Sequence, residues 1–172
     1  MPPRPARRTA RPPSRPWGRS CPSRPWSISA PRPELFKTSI LVRFGDLDAA
    51  GIAYYPNLVN FLHEAFEDFF AGHVGRPYPD VFRDGLGFPT VKVEMEFLSP
   101  VHYGDHVDID VTIERVGRTS VQIRYEASVA GKPVFKARTI AVVVDMRTFR
   151  PTPLPESLRE SFLSAREPEE KE

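Results

Sequence analysis

Apolar and polar positions follow two different periods along the chain, and the change of period separates the predicted elements. Residues 36–44 (FKTSILVRF) interleave β-branched and polar side chains, which predicts a strand. Residues 56–71 carry apolar side chains at helical spacing, which predicts a helix that begins at Pro56 and ends before Gly72. Its apolar positions are Leu58, Phe61, Leu62, Ala65, Phe66, Phe69 and Phe70. A helix with so many aromatic side chains is predicted to be buried.

The later part of the chain has the two-residue period of strands. Four segments are predicted as strands, namely residues 90–98, 106–116, 120–129 and 134–145. A loop over 77–87 precedes them, and Pro151, Pro153 and Pro155 end the series before a short helix over 156–165. One strand, one long apolar helix and four strands predict an α+β domain in which an antiparallel sheet wraps around one central helix.

The first 33 residues differ in composition from the rest. They hold ten of the 20 prolines and eight arginines, with no Asp or Glu. We therefore predict a disordered Pro/Arg-rich tail over 1–33 that is either dispensable or makes nonspecific contact with anionic polymers. A globular domain over 34–155 follows, and then a short helix and acidic tail over 156–172. Without the tail the chain has 16 basic and 22 acidic side chains, a net charge of −6, which predicts no nucleic-acid binding.

Several protein classes have signatures that this chain lacks. No run of about 18 apolar residues indicates a membrane helix, and no shorter apolar run indicates a secretory signal. The single cysteine, Cys21, lies in the predicted tail, so the domain has neither a disulfide nor a cysteine-based site. Glycine-rich phosphate loops and zinc-ligand spacings are also missing. We expect a cytoplasmic protein without metal or cofactor.

Between the predicted strand and helix lies the stretch GDLDAAGIAYYPN, with two acidic residues. A calcium loop would need a further acidic residue and a terminal glutamate, where this chain has Ala50 and Asn57. As turn residues, Asp46 and Asp48 would accept hydrogen bonds from nearby amides, with Gly51 at positive φ, and we favour this role for Asp46. Asp48 lies beside a helix N-terminus, which stabilises developing negative charge, so a carboxylate and an oxyanion site come together as in acyl transfer.

This stretch and its flanks resemble the signature of hotdog-fold acyl-CoA thioesterases of the 4-hydroxybenzoyl-CoA thioesterase family. The matching segment is VRFGDLDAAGIAYYPNLVNFLHEA, and the later FLSPVHYGDHVDIDV resembles the family's second strand segment. The resemblance covers about residues 35–146. It implies a hotdog fold, hydrolysis of an acyl-CoA, and a homodimer or homotetramer with the active site at the dimer interface.

The resemblance also implies a role for each residue of the loop. Asp48 would be the catalytic carboxylate, as nucleophile or as general base. The backbone N–H of Tyr55 would polarise the thioester carbonyl, and Gly51 would let the backbone pass close to the acyl group. So small a set suffices because a thiol with a pKa near 8.5 leaves without a strong general acid.

Substrate contacts implied by the resemblance lie at three places. Tyr54 would line the acyl slot, which suits either a small aromatic or a short to medium aliphatic chain. His63 stands where 4-hydroxybenzoyl-specific members carry an acidic residue, and either a substrate contact or a packing role is open to it. Arg118 and Ser120 lie in the turn where such enzymes bind the nucleotide phosphates of coenzyme A, or form an ordinary turn.

Two other functions remain open from the sequence. A hotdog hydratase or dehydratase needs a histidine beside its carboxylate, and none lies between Asp46 and Asn57. A non-catalytic acyl-CoA-binding protein would not need Asp48. Glu64 and Glu67 on the predicted helix are alternative carboxylates, for which solvated or interface roles are favoured.

Overall fold

Eight strands in two antiparallel sheets form most of the fold. The computed structural model describes residues 36–166. The strands are β1 (Phe36–Leu41), β2 (Leu86–Gly87), β3 (Thr90–Phe97), β4 (His106–Val116), β5 (Ser120–Val129), β6 (Lys132–Val142), β7 (Val144–Asp145) and β8 (Arg150–Pro151). The large sheet has the order β1-β4-β5-β6-β3 and the small sheet the order β2-β7-β8. The predicted tail over 1–33 and the last acidic residues lie outside the described part, so those assignments stay predictions.

One long helix, α1 (Tyr55–Phe69), lies against the large sheet. All seven apolar positions predicted for this helix are buried, six of them in α1 and Phe70 in the turn that follows, with 0 to 6% of each residue exposed. On β4, the alternating residues Val107, Ile109, Val111 and Ile113 are 0 to 1% exposed and form the sheet side of the same core. The predicted α+β hotdog fold, an antiparallel sheet around one central helix, is therefore confirmed.

The predicted end of this helix at Gly72 is wrong. After α1 the chain continues through one π-helical turn, Phe70–Val74, and stops at Gly75, whose φ of +72° is left-handed. Gly72 has a packing role instead, because a Cβ there would lie 2.5 Å from a ring carbon of Phe36. Its missing side chain lets the helix approach β1, and Gly75 supplies the helix-ending conformation.

Further boundaries also differ from the sequence predictions. The predicted strand over 134–145 is divided between β6 of the large sheet and β7 of the small sheet. β1 ends at Leu41, because residues Phe44–Asp46 form a 3₁₀ turn rather than continuing the strand. The predicted loop over 77–87 contains a helix, α2 (Tyr78–Arg83), and strand β2. Pro151 does not end the series of strands. It lies on β8, the edge strand of the small sheet, and pairs with Val144 of β7.

The predicted short C-terminal helix is present as α3 (Glu156–Ser164). It buries Leu158 and Phe162, and the Phe162 ring stacks on Phe69 of α1 with centroids 5.8 Å apart. This helix therefore closes the core on the side of the π-helical turn. Among residues 36–166, the helices are all too short or too polar to cross a bilayer.

Candidate active site

Residues 47–53 form a closed loop between the 3₁₀ turn and α1. Leu47 and Ala53 pair as an antiparallel bridge at its base. Within it, the Asp48 N–H donates to the Ile52 carbonyl at 2.8 Å and the Gly51 N–H donates to the Asp48 carbonyl at 3.0 Å. Gly51 has a φ of +78°, which L residues rarely adopt. The loop conformation is therefore fixed by its own backbone and by one glycine.

The segment before β4 braces this loop from outside. The Ala53 N–H donates to the Val101 carbonyl at 2.8 Å. Val42, just before the 3₁₀ turn, exchanges hydrogen bonds of 2.9 and 3.0 Å with Asp105 and Gly104. The two segments that carry the family resemblance thus contact one another, which explains how a short exposed loop can be rigid.

The two aspartates of the loop have different hydrogen-bond partners. Asp46 Oδ2 accepts from the Arg43 N–H at 2.7 Å, the role expected of a turn residue. Asp48 is exposed, and its Oδ1 accepts from the Ala50 N–H at 2.7 Å. Within residues 36–166, Asp48 Oδ2 has no hydrogen-bond partner. One oxygen of Asp48 therefore fixes the orientation of the carboxylate, and the other is available to water or substrate.

The first turn of α1 leaves one backbone amide available. Pro56 has no N–H, and the N–H groups of Asn57 and Leu58 donate to the Tyr54 carbonyl at 2.8 and 3.3 Å. The Tyr55 N–H has no acceptor in the described part of the chain. It lies at the positive end of the helix dipole, where an oxygen that gains negative charge is stabilised. This is the geometry required of an oxyanion donor.

A cavity of about 140 Å³ lies between α1 and the inner face of the sheet. Its lining is mostly apolar, and residues Val59, Leu62, His63, Phe66, Phe88, Thr90, Val93, Ile123, Tyr125, Thr139 and Ala141 contribute to it. Burial raises the pKa of the Tyr125 phenol, which hydrogen-bonds to Thr139. The cavity is thus an apolar slot with a pair of neutral hydroxyl groups in its wall.

The sequence alone does not single out Tyr125 and Thr139. Both occupy inward positions of alternating strands, where the pattern predicts core residues. One sequence feature could have indicated a polar group in the cavity wall. Thr139 is a polar residue at an inward-facing strand position between Ala137 and Ala141, and both of those alanines are buried.

The predicted site residues fall into three places rather than one. Asp48, Gly51, Tyr54 and Tyr55 are together in the loop and the first turn of α1. His63 lies at the cavity, where its Nε2 is 2.9 Å from Glu67 Oε1. Eight residues of helix separate it from Tyr55, or about 12 Å along the axis. Within one subunit, His63 and the loop therefore do not contact the same atom of a substrate.

Arg118 and Ser120 form the third place, the turn between β4 and β5. The Gly117 N–H donates to the Ser120 carbonyl at 2.7 Å, and Arg118 is exposed. The C-terminal segment holds this turn through Leu154, whose N–H donates to the Arg118 carbonyl at 2.9 Å, and through Arg159, whose Nη2 donates to the Gly117 carbonyl at 2.8 Å. Sequence patterns give no sign of the Arg159 contact, because it joins residues 42 positions apart.

Glu64 is the helix carboxylate with a perturbed pKa. Partial burial raises its pKa first, and the negative charges of Asp46 and Asp68 raise it further, against a hydrogen bond from Asn60. Glu64 therefore faces the side of α1 that carries other acids. Across residues 36–166, no three His, Cys, Asp or Glu side chains gather as metal ligands would.

Comparisons with known proteins show the family to which the chain belongs. Residues 42–162 match the thioesterase-like superfamily. The chain is 33% identical over 122 residues to a 1,4-dihydroxy-2-naphthoyl-CoA hydrolase of Synechococcus elongatus, covering 70% of this chain and 89% of the relative. A gentisyl-coenzyme A thioesterase structure aligns with a TM-score of 0.69 and 29% identity, over 74% of this chain and 99% of the other. A thioesterase superfamily structure from Jannaschia sp. CCS1 aligns with a TM-score of 0.73 and 27% identity, over 81% and 99%.

Proposed function

Because the chain belongs to the thioesterase-like superfamily and is a thioester hydrolase, we propose that it hydrolyses a small aromatic acyl-CoA with Asp48 and Tyr55 as its catalytic groups. The observation that carries this proposal concerns two polar groups, one in the loop over 47–53 and one in the first turn of α1. Asp48 has a carboxylate oxygen without a partner among the described residues, and the Tyr55 N–H is the one first-turn amide of α1 without an acceptor there. A carboxylate and an oxyanion donor are the two groups that thioester hydrolysis needs most.

The reaction follows from the chemistry of these groups. The Tyr55 N–H donates to the thioester oxygen, which gains negative charge as the carbonyl is attacked. Asp48 either accepts a proton from the attacking water or attacks the carbonyl itself. In both routes the carbon–sulfur bond breaks when the tetrahedral intermediate collapses, and coenzyme A leaves as a thiolate. In the first route, the proton held by Asp48 passes to the thiolate or to solvent. In the second route, the thiolate takes up a proton from solvent, and water hydrolyses the anhydride formed with Asp48. The products are the free acid and coenzyme A.

The cavity supports an aromatic acyl group of limited size. A protein cavity of about 150 Å³ is known to hold one benzene molecule, which is close to the 140 Å³ found between α1 and the sheet. Tyr125 and Thr139 place hydroxyl groups in its wall and could bond a ring hydroxyl. The relatives named for 1,4-dihydroxy-2-naphthoyl-CoA and gentisyl-CoA both act on hydroxylated rings. We infer a single hydroxylated ring as the preferred acyl group.

A second copy of the chain completes the proposed site. Val93, Met95 and Phe97 alternate along the edge strand β3 opposite inward residues of β6, and Met95 packs on the core. Phe97 is nevertheless 49% exposed, and Val93 is exposed as well. An apolar inner face on an edge strand is typical of a strand that pairs with another chain. We propose a homodimer through β3 that brings the Asp48 loop of one copy to the cavity of the other.

Arg118 and Ser120 are proposed to bind the phosphates of coenzyme A. The Arg118 guanidinium group has no hydrogen-bond or ion-pair partner within residues 36–166, and it lies in a domain whose net charge is negative. A fixed turn with a free guanidinium group can hold a polyanion near an acidic protein surface.

Hydrolysis of a thioester panel tests the proposed function. The panel contains benzoyl-, hydroxybenzoyl-, phenylacetyl-, butyryl- and octanoyl-CoA, with release of free thiol as the measurement. We expect the highest kcat/KM for hydroxybenzoyl-CoA. Asp48→Asn should lower kcat at least about 100-fold, because the amide keeps the shape but neither attacks nor accepts a proton.

Asp46→Asn is the matched control for this substitution. It makes the same chemical change two residues away, and asparagine can still accept the Arg43 hydrogen bond. We expect it to retain most of the activity. Equal losses from the two substitutions would contradict the assignment of Asp48. Binding of acyl-CoA by the wild-type protein without thiol release would favour a non-catalytic binding protein.

A further inference from the structure

The tip of the β7–β8 hairpin carries an aromatic residue in an unfavourable conformation. Phe149 has a φ of +53°, and 71% of its surface is exposed. The left-handed region is unfavourable for an L residue, and glycine or asparagine usually occupies it. The small buried surface of Phe149 offsets only part of this unfavourable backbone conformation. A strained, exposed residue that stability does not explain is a candidate for a functional role.

The hairpin tip is held in one conformation by Asp145. The Phe149 N–H donates to the Asp145 carbonyl at 2.7 Å. Asp145 Oδ1 accepts from the N–H groups of Arg147 and Thr148 at 2.9 and 3.0 Å, and these bonds lower the pKa of its carboxyl group. The ring of Phe149 is therefore presented to solvent by an ordered turn, which reduces the entropy that a ligand must overcome.

Two arginines lie close to Phe149 in the sequence of the hairpin. The Arg147 side chain is exposed and lies 3.6 Å from Asp145 Oδ2. Arg150, the next residue after Phe149, is exposed and has no side-chain partner in the described part of the chain. An exposed aromatic ring on a hairpin that also carries exposed arginines suits a planar base attached to phosphates, because a ring can stack on the base and guanidinium groups can bind the phosphates.

The position of the hairpin connects it to the proposed coenzyme A contacts. At its base the Thr152 N–H donates to the Val143 carbonyl at 2.9 Å, and the Val143 N–H donates to the Thr119 carbonyl at 2.8 Å. Thr119 lies between Arg118 and Ser120 in the proposed phosphate-binding turn. On the other side, β7 pairs with β2, which leads directly into residues that line the cavity. The small sheet thus lies between the cavity wall and that turn.

We propose that Phe149 is an adenine-stacking platform for the nucleotide of the acyl-CoA substrate, with Arg150 beside it as a phosphate contact. This inference rests on the proposed function, since it assumes a coenzyme A thioester as the substrate. It assigns recognition of the nucleotide to two places, the Arg118 turn and the hairpin tip. It also explains why a phenylalanine occupies a position that favours glycine.

Phe149→Gly tests the platform with opposite expectations for stability and for binding. Glycine relieves the backbone strain, so the melting temperature should stay the same or rise. Loss of the stacking surface should raise KM for benzoyl-CoA about tenfold with kcat unchanged, since the ring contacts the nucleotide and not the reacting carbonyl. Phe149→Trp should keep the wild-type KM.

Two further measurements separate this inference from the proposed function. Benzoyl-pantetheine lacks the nucleotide, so Phe149→Gly should leave its hydrolysis unchanged. Adenosine 3′,5′-bisphosphate should bind the wild-type protein about tenfold more tightly than the variant in calorimetry, whether or not turnover occurs. If the wild-type protein hydrolyses no thioester, the proposed function fails irrespective of Phe149. Equal bisphosphate affinities, equal damage to both substrates, a lower melting temperature or a change of oligomeric state in Phe149→Gly would each overturn the platform.

Discussion

Asp46 and Asp48 have identical side chains but different hydrogen-bond partners, and different roles are therefore proposed for them. The Arg43 amide bonds one carboxylate oxygen of Asp46, and the Asp46 carbonyl accepts from the Tyr54 N–H at 2.7 Å. Asp46 thereby joins the 3₁₀ turn to the start of α1. Among the described residues, the hydrogen bonds of Asp48 are all within its own loop. Asp46 therefore positions the N-terminus of α1, where Asp48 is proposed to act.

Glu64 offers a test of the competing carboxylate on α1. Its raised pKa means that the folded state holds the proton more tightly than the unfolded chain, whose glutamate has the ordinary value of 4.5. Ionisation above that pH therefore destabilises the fold. Glu64→Gln should raise the free energy of unfolding at pH 7, and this gain should disappear as the pH falls below about 4.5. Urea denaturation at several pH values measures it.

Glu160→Gln is the control for this prediction, because Glu160 is an exposed glutamate on α3. We expect no comparable pH-dependent gain from it. Activity provides the second comparison: Glu64→Gln should retain most of the wild-type kcat if Asp48 is the catalytic carboxylate. A loss as large as that of Asp48→Asn would instead assign the chemistry to Glu64.

Strands β4 and β5 have the bounds predicted from the sequence, whereas other elements do not. Long alternation fixes which side chains face the core, so the strand limits are visible in the pattern. Strands of two residues, such as β2 and β7, have no period to detect. Gly72 is misleading for a related reason, since glycine ends helices and also permits close packing, and only the contact with Phe36 decides between them.

The proposed active site was predictable to a similar extent. The loop with Asp48 could be located from residue types and the family resemblance. That the Tyr55 N–H lacks an acceptor among residues 36–166 is visible only in the backbone geometry. Tyr125 was not predictable as a cavity residue, because an inward aromatic residue in a strand has the same pattern whether it fills the core or borders a cavity.

Helix α3 is predicted to stabilise the turn that contains Arg118. Arg159→Gln removes the guanidinium that donates to the Gly117 carbonyl, and we expect a loss of about 1 kcal/mol in the free energy of unfolding. The looser turn should raise KM for acyl-CoA a few-fold and leave kcat near the wild-type value. Thermal denaturation and steady-state kinetics measure the two effects.

Arg159→Lys is the conservative comparison and should recover part of both effects. Benzoyl-pantetheine should be hydrolysed normally by both variants, because it lacks the phosphates that this turn is proposed to bind. A fall in kcat with unchanged KM would show that Arg159 acts elsewhere in the molecule.

At the scale of the whole molecule, two features support the proposed dimer. The inner face of β3 is apolar but largely exposed, and about 12 Å of helix axis separates Tyr55 from His63 at the cavity. One partner copy accounts for both features if it covers β3 and supplies the other half of the site. Dimerisation and catalysis are then coupled, because the proposed site forms only where two copies meet.

Phe97→Lys tests this coupling. Phe97 is exposed on the inner face of β3 and does not line the cavity, so a charge there should oppose pairing without altering the slot. We expect the dimer fraction in sedimentation and the specific activity to fall together, and both to recover at higher protein concentration. Glu96→Lys places the same side chain on the outer face of the same strand and should leave both unchanged. A fully active monomer, from either the wild-type protein or Phe97→Lys, would place the complete site within one chain and contradict the dimer proposal.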